Sequence, residues 1–215
     1  MNGILLKTGS AALVLGLFAL TGTGLVAIVH GTTAERIADN ERQALLHAIH
    51  ALVPPAEIDN DPLADTIELT APEAFGSEQA VTVYRARKGG REIAVVFTVV
   101  APDGYSGAIR MLVGIRADGR LAGVRVVAHR ETPGLGDKVE AHKSDWIRDF
   151  DNRSLRDPKA DGWAVKKDGG VFDQFTGATI TPRAVVAAVH RALRYYASHR
   201  EAMFLVAQRE DSTDG

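Results

Sequence analysis

An uninterrupted apolar run opens the chain. No charged residue occurs between Gly9 and Val29, where the sequence reads GSAALVLGLFALTGTGLVAIV. A run of this length reaches the roughly 20 residues that a helix needs to cross a lipid bilayer. The alternative is a cleaved signal peptide, but the apolar core of a signal peptide is only about 7–15 residues long. We therefore predict an uncleaved transmembrane anchor over residues 1–30.

The few charges at the two ends of this run predict its orientation. Lys7 and the terminal amine flank the first end, whereas Glu35 and Arg36 offset each other beyond the second end. Because basic residues favour the cytoplasmic side of a membrane, we predict a cytoplasmic amino terminus and a large domain outside the cytoplasm.

Apolar residues at near-helical spacing follow the anchor, and charged residues separate them. The apolar positions are Ile37, Leu45, Leu46, Ile49 and Leu52. The pattern predicts an amphipathic helix that Thr32 or Thr33 caps and that Pro54-Pro55 ends. Residues 31–60 are thus predicted to form a juxtamembrane helix and linker. This helix serves either as a stalk at the membrane or as an element that packs on the domain itself.

Later residues predict a sheet followed by helices. Runs of β-branched residues predict strands at 81–84, 93–100, 109–116 and 121–127, and Asp118-Gly119 between the last two is a strong hairpin signal. An apolar stripe predicts a helix over 137–150, and a final helix is expected from Pro182 towards Gln208. Strands first and helices later favour an α+β domain, here over residues 61–208, with a loose tail at 209–215.

Composition excludes several classes of function. The net charge of −2 provides no basic surface, so a nucleic acid is not expected as a partner. The chain has no cysteine, which excludes disulfides, thiolate-held iron–sulfur clusters and covalent haem. His47 and His50 have helical spacing, but no third metal ligand lies near them in the sequence, so we predict no metal site.

The segment Asp173-Gln174-Phe175-Thr176-Gly177-Ala178-Thr179-Ile180-Thr181-Pro182 carries the most specific chemistry. Pro182 suits the first position of a helix and Thr181 suits its cap. Free N–H groups and the positive end of the helix dipole would then face Thr179, which suits a phosphate. Small residues at Gly177 and Ala178 allow a bulky group to approach the backbone. An ordinary capped helix after a loop is the alternative interpretation.

This segment resembles the Asp-x-x-Ser/Thr-Gly-Ala-Thr/Ser signature of proteins that carry covalent FMN. In that family a separate flavin transferase joins the FMN phosphate to the last threonine through a phosphoester bond. The resemblance implies that Thr179 is the acceptor, and that Asp173 and Thr176 are positions that the transferase needs. Gly177 and Ala178 complete the signature.

Other segments resemble the FMN-binding domain shared by two respiratory proteins. These are the G subunit of the Rnf electron-transport complex and the C subunit of the sodium-translocating NADH:quinone reductase, and the resemblance is closer to the Rnf protein. It rests on Gly104-Tyr105-Ser106-Gly107, Leu112-Val113-Gly114-Ile115 and 129–137. The resemblance implies a single-pass protein of the bacterial inner membrane with a periplasmic FMN domain. Its partners would be the other membrane and redox subunits of the Rnf complex, and it would relay electrons between them.

The resemblance also implies where the flavin ring lies. Residues 132–138 alone predict only a glycine-containing helix entry, and they lack the spacing of a nucleotide-triphosphate loop. The resemblance places this loop in the ring pocket, with Glu131, Thr132, Leu135 and Gly136 as candidates, and places Tyr105 and Ser106 nearby. Trp146 is interpreted as a core residue, Lys166 and Lys167 as solvated surface. His129 is either an ion partner of Glu131 or a satisfied residue at a strand end.

Three alternatives to the Rnf interpretation remain open from the sequence. The chain is compatible with the C subunit of the NADH:quinone reductase, which uses different electron donors. It is also compatible with a membrane-anchored flavin sensor, or with an anchoring protein whose motif is never flavinylated.

Overall fold

The protein is described by a computed structural model over residues 2–204, and the chain divides into two units, Met1–Leu45 and Leu46–Gly215. Helix α1 runs over Asn2–His50. The predicted tail at 209–215, and the predicted extension of the final helix towards Gln208, lie outside the described residues.

The first unit contains the apolar part of α1. Among residues 2–204, α1 is the one helix long and apolar enough to cross a membrane, and an 18-residue stretch within Leu13–His50 has a mean hydropathy of 2.0. Apolar side chains here are exposed, as Leu13 at 72%, Phe18 at 74% and Leu20 at 75% illustrate. An apolar helix whose side chains face outward suits a lipid environment, as the predicted anchor requires.

The helix boundary predicted at Thr32 or Thr33 is wrong, because α1 continues without a break through both residues. The Thr32 hydroxyl donates to the carbonyl oxygen of Ile28 at 3.0 Å, and the Thr33 hydroxyl donates to that of Val29 at 2.7 Å. These bonds satisfy the hydroxyls within a helix, so the two threonines fit its interior and cap nothing.

The second unit begins with the last residues of α1, and the apolar residues at this helix end and just after it pack on the domain. Ile49, Leu52 and Val53 are buried. Leu52 lies over two paired strand glycines, Gly114 and Gly123, and a Cβ atom at Gly123 would stand 3.0 Å from Leu52 Cδ2. Of the two roles considered for this segment, packing on the domain therefore describes its last residues.

Five antiparallel strands form one sheet in the order of the sequence: β1 Thr66–Leu69, β2 Val81–Lys88, β3 Arg91–Ala101, β4 Ile109–Arg116 and β5 Leu121–Ala128. The four predicted strands and the Asp118-Gly119 connection are confirmed. Gly89 and Gly90 join β2 to β3 with φ of 56° and 74°. A two-residue hairpin turn of type I′ requires such positive values at both of its central residues. A short helix, α2, spans Pro72–Phe75.

The final helix, α3, spans Ile180–Phe204 with a kink at His199, and packs against β3 and β4. Its buried face includes Val185, Val189 and Leu193, which meet Phe97 and Val113 of the sheet in one core. An α+β domain therefore follows the apolar helix, as predicted.

The continuous helix predicted over 137–150 is wrong, although its apolar stripe is buried. Two 3-10 segments, Gly136–Val139 and Asp145–Phe150, replace it. Ser144 separates them, because its Oγ donates to the Lys138 carbonyl at 2.7 Å and accepts from the Trp146 N–H at 3.2 Å. Such side-chain bonds to the backbone compete with an α-helical ladder.

Candidate functional site

A cavity of about 200 Å³ lies where three loops and the start of α3 meet. Seven of its eight lining residues are among those predicted to hold the flavin; the eighth is Thr181. The lining consists of Tyr105, Glu131, Thr132, Leu135, Gly136, Gly177, Ala178 and Thr181. Residues from positions 105, 131–136 and 177–178 are distant in sequence, and the fold brings them to one place.

The carboxylate of Glu131 joins three parts of this cavity. Its side chain is buried, with 4% exposure. Oε1 accepts the backbone N–H of Ser106 at 3.0 Å, and Oε2 accepts the hydroxyl of Thr181. Both partners are donors, so Glu131 accepts a hydrogen bond at each oxygen. Gly136 packs against it, since a Cβ atom there would lie 2.8 Å from Oε2.

A tight turn carries the predicted acceptor motif. The Ala178 N–H donates to the carbonyl oxygen of Phe175 at 3.1 Å, and Gly177 between them has a φ of 81°. Only glycine adopts this value without strain, which explains its place in the turn. Phe175 is buried, whereas Thr176 and Gly177 are exposed at the tip. The nearest atom to a Cβ at Gly177 would be Leu135 Cδ2 at 3.6 Å, so the backbone there is open to a ligand.

Thr179 is the last residue before α3 and is half-buried. Its carbonyl oxygen accepts the N–H of Arg183 at 3.4 Å, as expected of the residue that precedes a helix. Pro182 has no N–H and the Arg183 N–H bonds to Thr179, so Ile180 and Thr181 carry the N–H groups of this first turn that have no partner within the helix. The prediction that Thr181 caps the helix and Pro182 begins it is wrong: the helix starts at Ile180, two residues before Pro182, and Thr181 is buried against Glu131.

Four predicted site residues do not line the cavity. Ser106 contributes its backbone N–H to Glu131, and Thr176 is exposed at the tip of the turn. Asp173 pairs with Lys166 at 2.6 Å, with both side chains more than half exposed. Thr179 lies at the margin, next to the lining residue Ala178.

Two further expectations are settled by contacts. Trp146 is a core residue, with its ring edge-to-face against Phe150 and Phe175 at centroid distances of 5.4 and 5.0 Å. His129 is a satisfied strand-end residue and not an ion partner of Glu131. Its Nδ1 accepts the Glu131 N–H at 3.0 Å, and its Nε2 lies 2.9 Å from Glu140 Oε1.

A charged cluster lies beside the cavity loop. Lys143 Nζ lies 2.7 Å from Asp137 Oδ2 and 3.1 Å from Glu140 Oε1. The Lys143 ammonium, aided by the Gly134 N–H, lowers the pKa of Asp137. Burial alone would raise the pKa of Glu140, but hydrogen bonds from His129 and Lys143 outweigh it and lower this pKa. The same two carboxylates raise the pKa of Lys143.

The cavity fits part of an FMN molecule. Pockets that enclose a drug-sized ligand measure about 300–1,000 Å³, so this smaller cavity would hold the ring of an FMN and leave the rest of the cofactor outside. Leu135 and Tyr105 offer apolar surface to a flat ring. The free N–H groups at the start of α3, beside Thr179, suit the phosphate. A larger open groove of about 820 Å³ between α2 and α3 contains none of the predicted site residues.

One residue of the cavity was missed by the sequence interpretation. Thr181 lies two residues after the motif, and its Thr-Pro pair has the pattern of a local helix cap. A buried partner fifty positions away leaves no local signal, so the sequence could not reveal it.

Two family profiles match the chain. The profile described as an FMN-binding domain matches residues 104–194, and that described as the RnfG N-terminal region matches residues 1–52. The first contains the cavity and the motif, and the second contains the whole of α1. Together with the fold, the match defines a flavin-binding α+β protein that carries an apolar helix at its amino terminus.

Relatives over nearly the whole chain specify the family. The G subunit of the ion-translocating oxidoreductase complex of Pseudomonas aeruginosa is 57% identical over 190 residues, which cover 88% of this chain and 89% of the relative. The G subunits of Shewanella oneidensis and Vibrio cholerae are 46% and 44% identical over 204 and 189 residues, covering 95% and 88% of this chain and 95% and 90% of theirs. The chain belongs to the G-subunit family of ion-translocating oxidoreductase complexes, as its resemblance to the Rnf protein predicted.

Proposed function

We propose that this protein carries electrons through an FMN joined to Thr179 by a phosphoester, as a subunit of an ion-translocating oxidoreductase complex. The observation that carries the proposal is the position of Thr179. In the chain it lies between Ala178, which lines the cavity, and Ile180, the first residue of α3. A single cofactor can therefore place its ring beside Leu135 and its phosphate at the helix start.

The partial enclosure of the ring supports a covalent link. A cavity of about 200 Å³ leaves the ribityl chain and phosphate outside, so shape alone holds the cofactor weakly. A covalent tether keeps the local concentration of the ring high without further contacts. When bound, FMN supplies the redox chemistry, and the residues of this chain position it and exclude water from one side.

Each group of residues has a separate task in this proposal. Tyr105 and Leu135 cover the ring, and Glu131 keeps the loops around it in place. The exposed Thr176 and Asp173 remain accessible to a flavin transferase, which attaches the cofactor during maturation. Electrons pass to and from other redox subunits. Because α1 has no charged residue between Gly9 and Val29, the ion path lies in other subunits of the complex.

We further propose that α1 anchors the protein in the bacterial inner membrane, with its amino terminus in the cytoplasm and the FMN domain in the periplasm. Lys7 before the apolar run supports this orientation. The chain lacks cysteine, so single cysteines at Asn2 and Gln79 report the two sides cleanly. A membrane-impermeant maleimide should label intact spheroplasts at position 79 and not at position 2; the reverse pattern contradicts the orientation.

Mass spectrometry tests the central proposal. The full chain is co-expressed with a flavin transferase, and its intact mass and peptides are measured. An adduct of one FMN less one water on the peptide that contains Thr179 supports the assignment. In-gel flavin fluorescence after denaturation should accompany it, because only a covalent flavin survives. An unmodified chain, or an adduct on another residue, contradicts it.

A further inference from the structure

We propose that Trp146 is a positioning residue for flavin attachment, which holds residues 173–178 in the geometry in which Thr179 accepts the flavin phosphate. The inference rests on the proposed function and names a residue outside the motif. No part of the sequence pattern links Trp146 to the motif, since the two are separated by 27 positions.

Two contacts join this side chain to the motif. Its indole Nε1–H donates to the carbonyl oxygen of Asp173 at 2.8 Å. Its ring meets the ring of Phe175 edge-to-face, with centroids 5.0 Å apart and an interplanar angle of 70°. The first contact fixes the start of the motif and the second fixes its middle, immediately before the turn that leads to Thr179.

The other contacts of the motif's first residues lie at the surface: Asp173 pairs with Lys166 at 2.6 Å, and Gln174 Oε1 accepts the Lys167 N–H at 3.3 Å. The side chains of Asp173, Gln174 and Thr176 are exposed, as is Gly177. Within the turn itself, one backbone bond from the Ala178 N–H to Phe175 closes the loop. Exposed segments with few buried contacts open at low cost. Trp146, itself 8% exposed, therefore supplies the motif with rigidity that the exposed residues lack.

Trp146 also ties the motif to the ring cavity. Ser144 accepts the Trp146 backbone N–H and donates through the same Oγ to the carbonyl of Lys138. Lys138 belongs to the 3-10 segment Gly136–Val139, whose first residue lines the cavity. One short path of hydrogen bonds thus sets the distance between the acceptor segment and the place of the ring.

The attachment reaction needs such alignment. Condensing free FMN with a hydroxyl is unfavourable in water, so we take a flavin dinucleotide as the activated donor. The Thr179 oxygen attacks the phosphorus on the flavin side, the pyrophosphate P–O bond breaks, AMP leaves, and the hydroxyl proton passes to a base on the transferase. No electrons are exchanged. A misplaced nucleophile lowers the rate of such a transfer steeply.

Trp163 provides a matched control within the same aromatic cluster. It is similarly buried, at 6% exposure, and its Nε1–H donates to the carbonyl of Pro158 at 3.2 Å. Replacement of either tryptophan by phenylalanine keeps an aromatic ring and removes one indole–carbonyl bond. Only Trp146→Phe removes that bond from the motif.

The experiment measures flavinylation of the full chain in detergent by a purified flavin transferase with FAD. Wild type, Trp146→Phe and Trp163→Phe are compared through kcat/KM, with this protein as the varied substrate, and through Tm. We expect kcat/KM to fall roughly tenfold for Trp146→Phe, the effect of losing one aligning hydrogen bond, and to stay near wild type for Trp163→Phe. Hydrogen exchange at the Ala178 amide should accelerate only in Trp146→Phe.

A wild-type rate in Trp146→Phe overturns the inference, and so does an equal loss in both variants, which would indicate general destabilisation. A wild-type chain that accepts no flavin overturns the proposed function instead. If Trp146→Phe does not fold, benzothienylalanine at position 146 replaces it, because its sulfur keeps the ring shape and removes only the N–H donor. The same substitution at position 163 is then the control, with the same expected results.

Discussion

The hydroxyl of Thr181 donates a hydrogen bond to the carboxylate of Glu131, fifty positions earlier in the chain. Thr181 is fully buried and Glu131 is 4% exposed, so the bond lies away from solvent. The second carboxylate oxygen accepts the N–H of Ser106. One carboxylate thereby connects the start of α3 with the loop before β4 and the loop after β5, and holds the cavity in shape before any cofactor arrives.

The first prediction concerns this bond. Thr181→Val keeps the shape of the side chain but removes the donor, which leaves a buried carboxylate oxygen without its partner. We expect the free energy of unfolding to fall by about 1–3 kcal/mol, the usual cost of an unsatisfied buried group. Urea unfolding of the full chain in detergent, followed by near-ultraviolet circular dichroism, measures it.

Thr176→Val is the matched control for this prediction. Thr176 is exposed at the tip of the turn, so the same substitution there should change the free energy by no more than about 0.5 kcal/mol. Equal losses for both variants would show that the Thr181–Glu131 bond adds no more to the free energy of unfolding than an exposed threonine hydroxyl does.

Part of the fold could be predicted from the sequence. Strands β2 to β5 and the hairpin at Asp118-Gly119 were predictable, because runs of β-branched residues and glycine turns are local signals. The helix boundary expected at Thr32 or Thr33 and the helix expected over 137–150 were not correct. In both cases serine or threonine hydroxyls that were expected to cap a helix, or to lie within one, bond to other nearby carbonyls. Propensity does not say which of several such bonds will form.

The candidate site likewise has features that the sequence could reveal and features that it could not. The motif from Asp173 to Thr179 and the loop at Leu135 and Gly136 are contiguous patterns, so a family resemblance could point to them. Contacts between distant segments were not accessible to that approach. The bond from Trp146 to the Asp173 carbonyl and the role of Thr181 emerge only when the chain is folded.

The second prediction concerns the flavin acceptor. Thr179→Ala removes the only hydroxyl at this position and should abolish covalent flavin, as measured by intact mass and in-gel fluorescence. The residue is half-buried and its carbonyl bond to Arg183 remains, so we expect the free energy of unfolding to change by no more than about 1 kcal/mol.

Thr179→Ser is the control, since it keeps the hydroxyl and loses only a methyl group. Serine should still accept the flavin. Covalent flavin in Thr179→Ala, or its absence from Thr179→Ser with the fold intact, would count against attachment at this oxygen.

The third prediction separates two roles of Asp173. Its carboxylate pairs with Lys166 at 2.6 Å, but both side chains are more than half exposed, so the pair contributes only about 0–1 kcal/mol to stability. If the transferase needs the carboxylate, Asp173→Ala should slow flavinylation at least about tenfold, the effect of losing one charged contact in the transition state. Lys166→Met breaks the same ion pair from the other side and should leave flavinylation near the wild-type rate.

Rates of flavin incorporation, followed by fluorescence of the denatured protein, distinguish these outcomes. Equal slowing in the two variants would mean that the ion pair, and not recognition of Asp173, matters. Normal rates in Asp173→Ala would remove the role that the resemblance implies for this residue.

The fourth prediction concerns acid stability of the cavity loop. Lys143 holds the pKa of Asp137 below its ordinary value of 3.8, and Lys143 and His129 hold that of Glu140 below 4.5. Groups whose pKa is lower in the folded state stabilise it above their unfolded pKa and lose this contribution as the pH falls through the folded pKa. The pKa of Lys143 is raised, so its contribution is complete below 10.5 and is lost as the pH rises through the higher folded value.

Lys143→Met should therefore be less stable than wild type throughout the range in which all three groups are charged, roughly pH 5 to 10. The difference should shrink as the pH falls below about 4, because the carboxylates then take up protons in both proteins. Urea midpoints measured from pH 3 to 8 test this expectation, with Lys159→Met, at an exposed lysine, as the control. A difference between wild type and Lys143→Met that stays constant over this range would show that apolar contacts of the lysine stem, and not its charge, stabilise the loop.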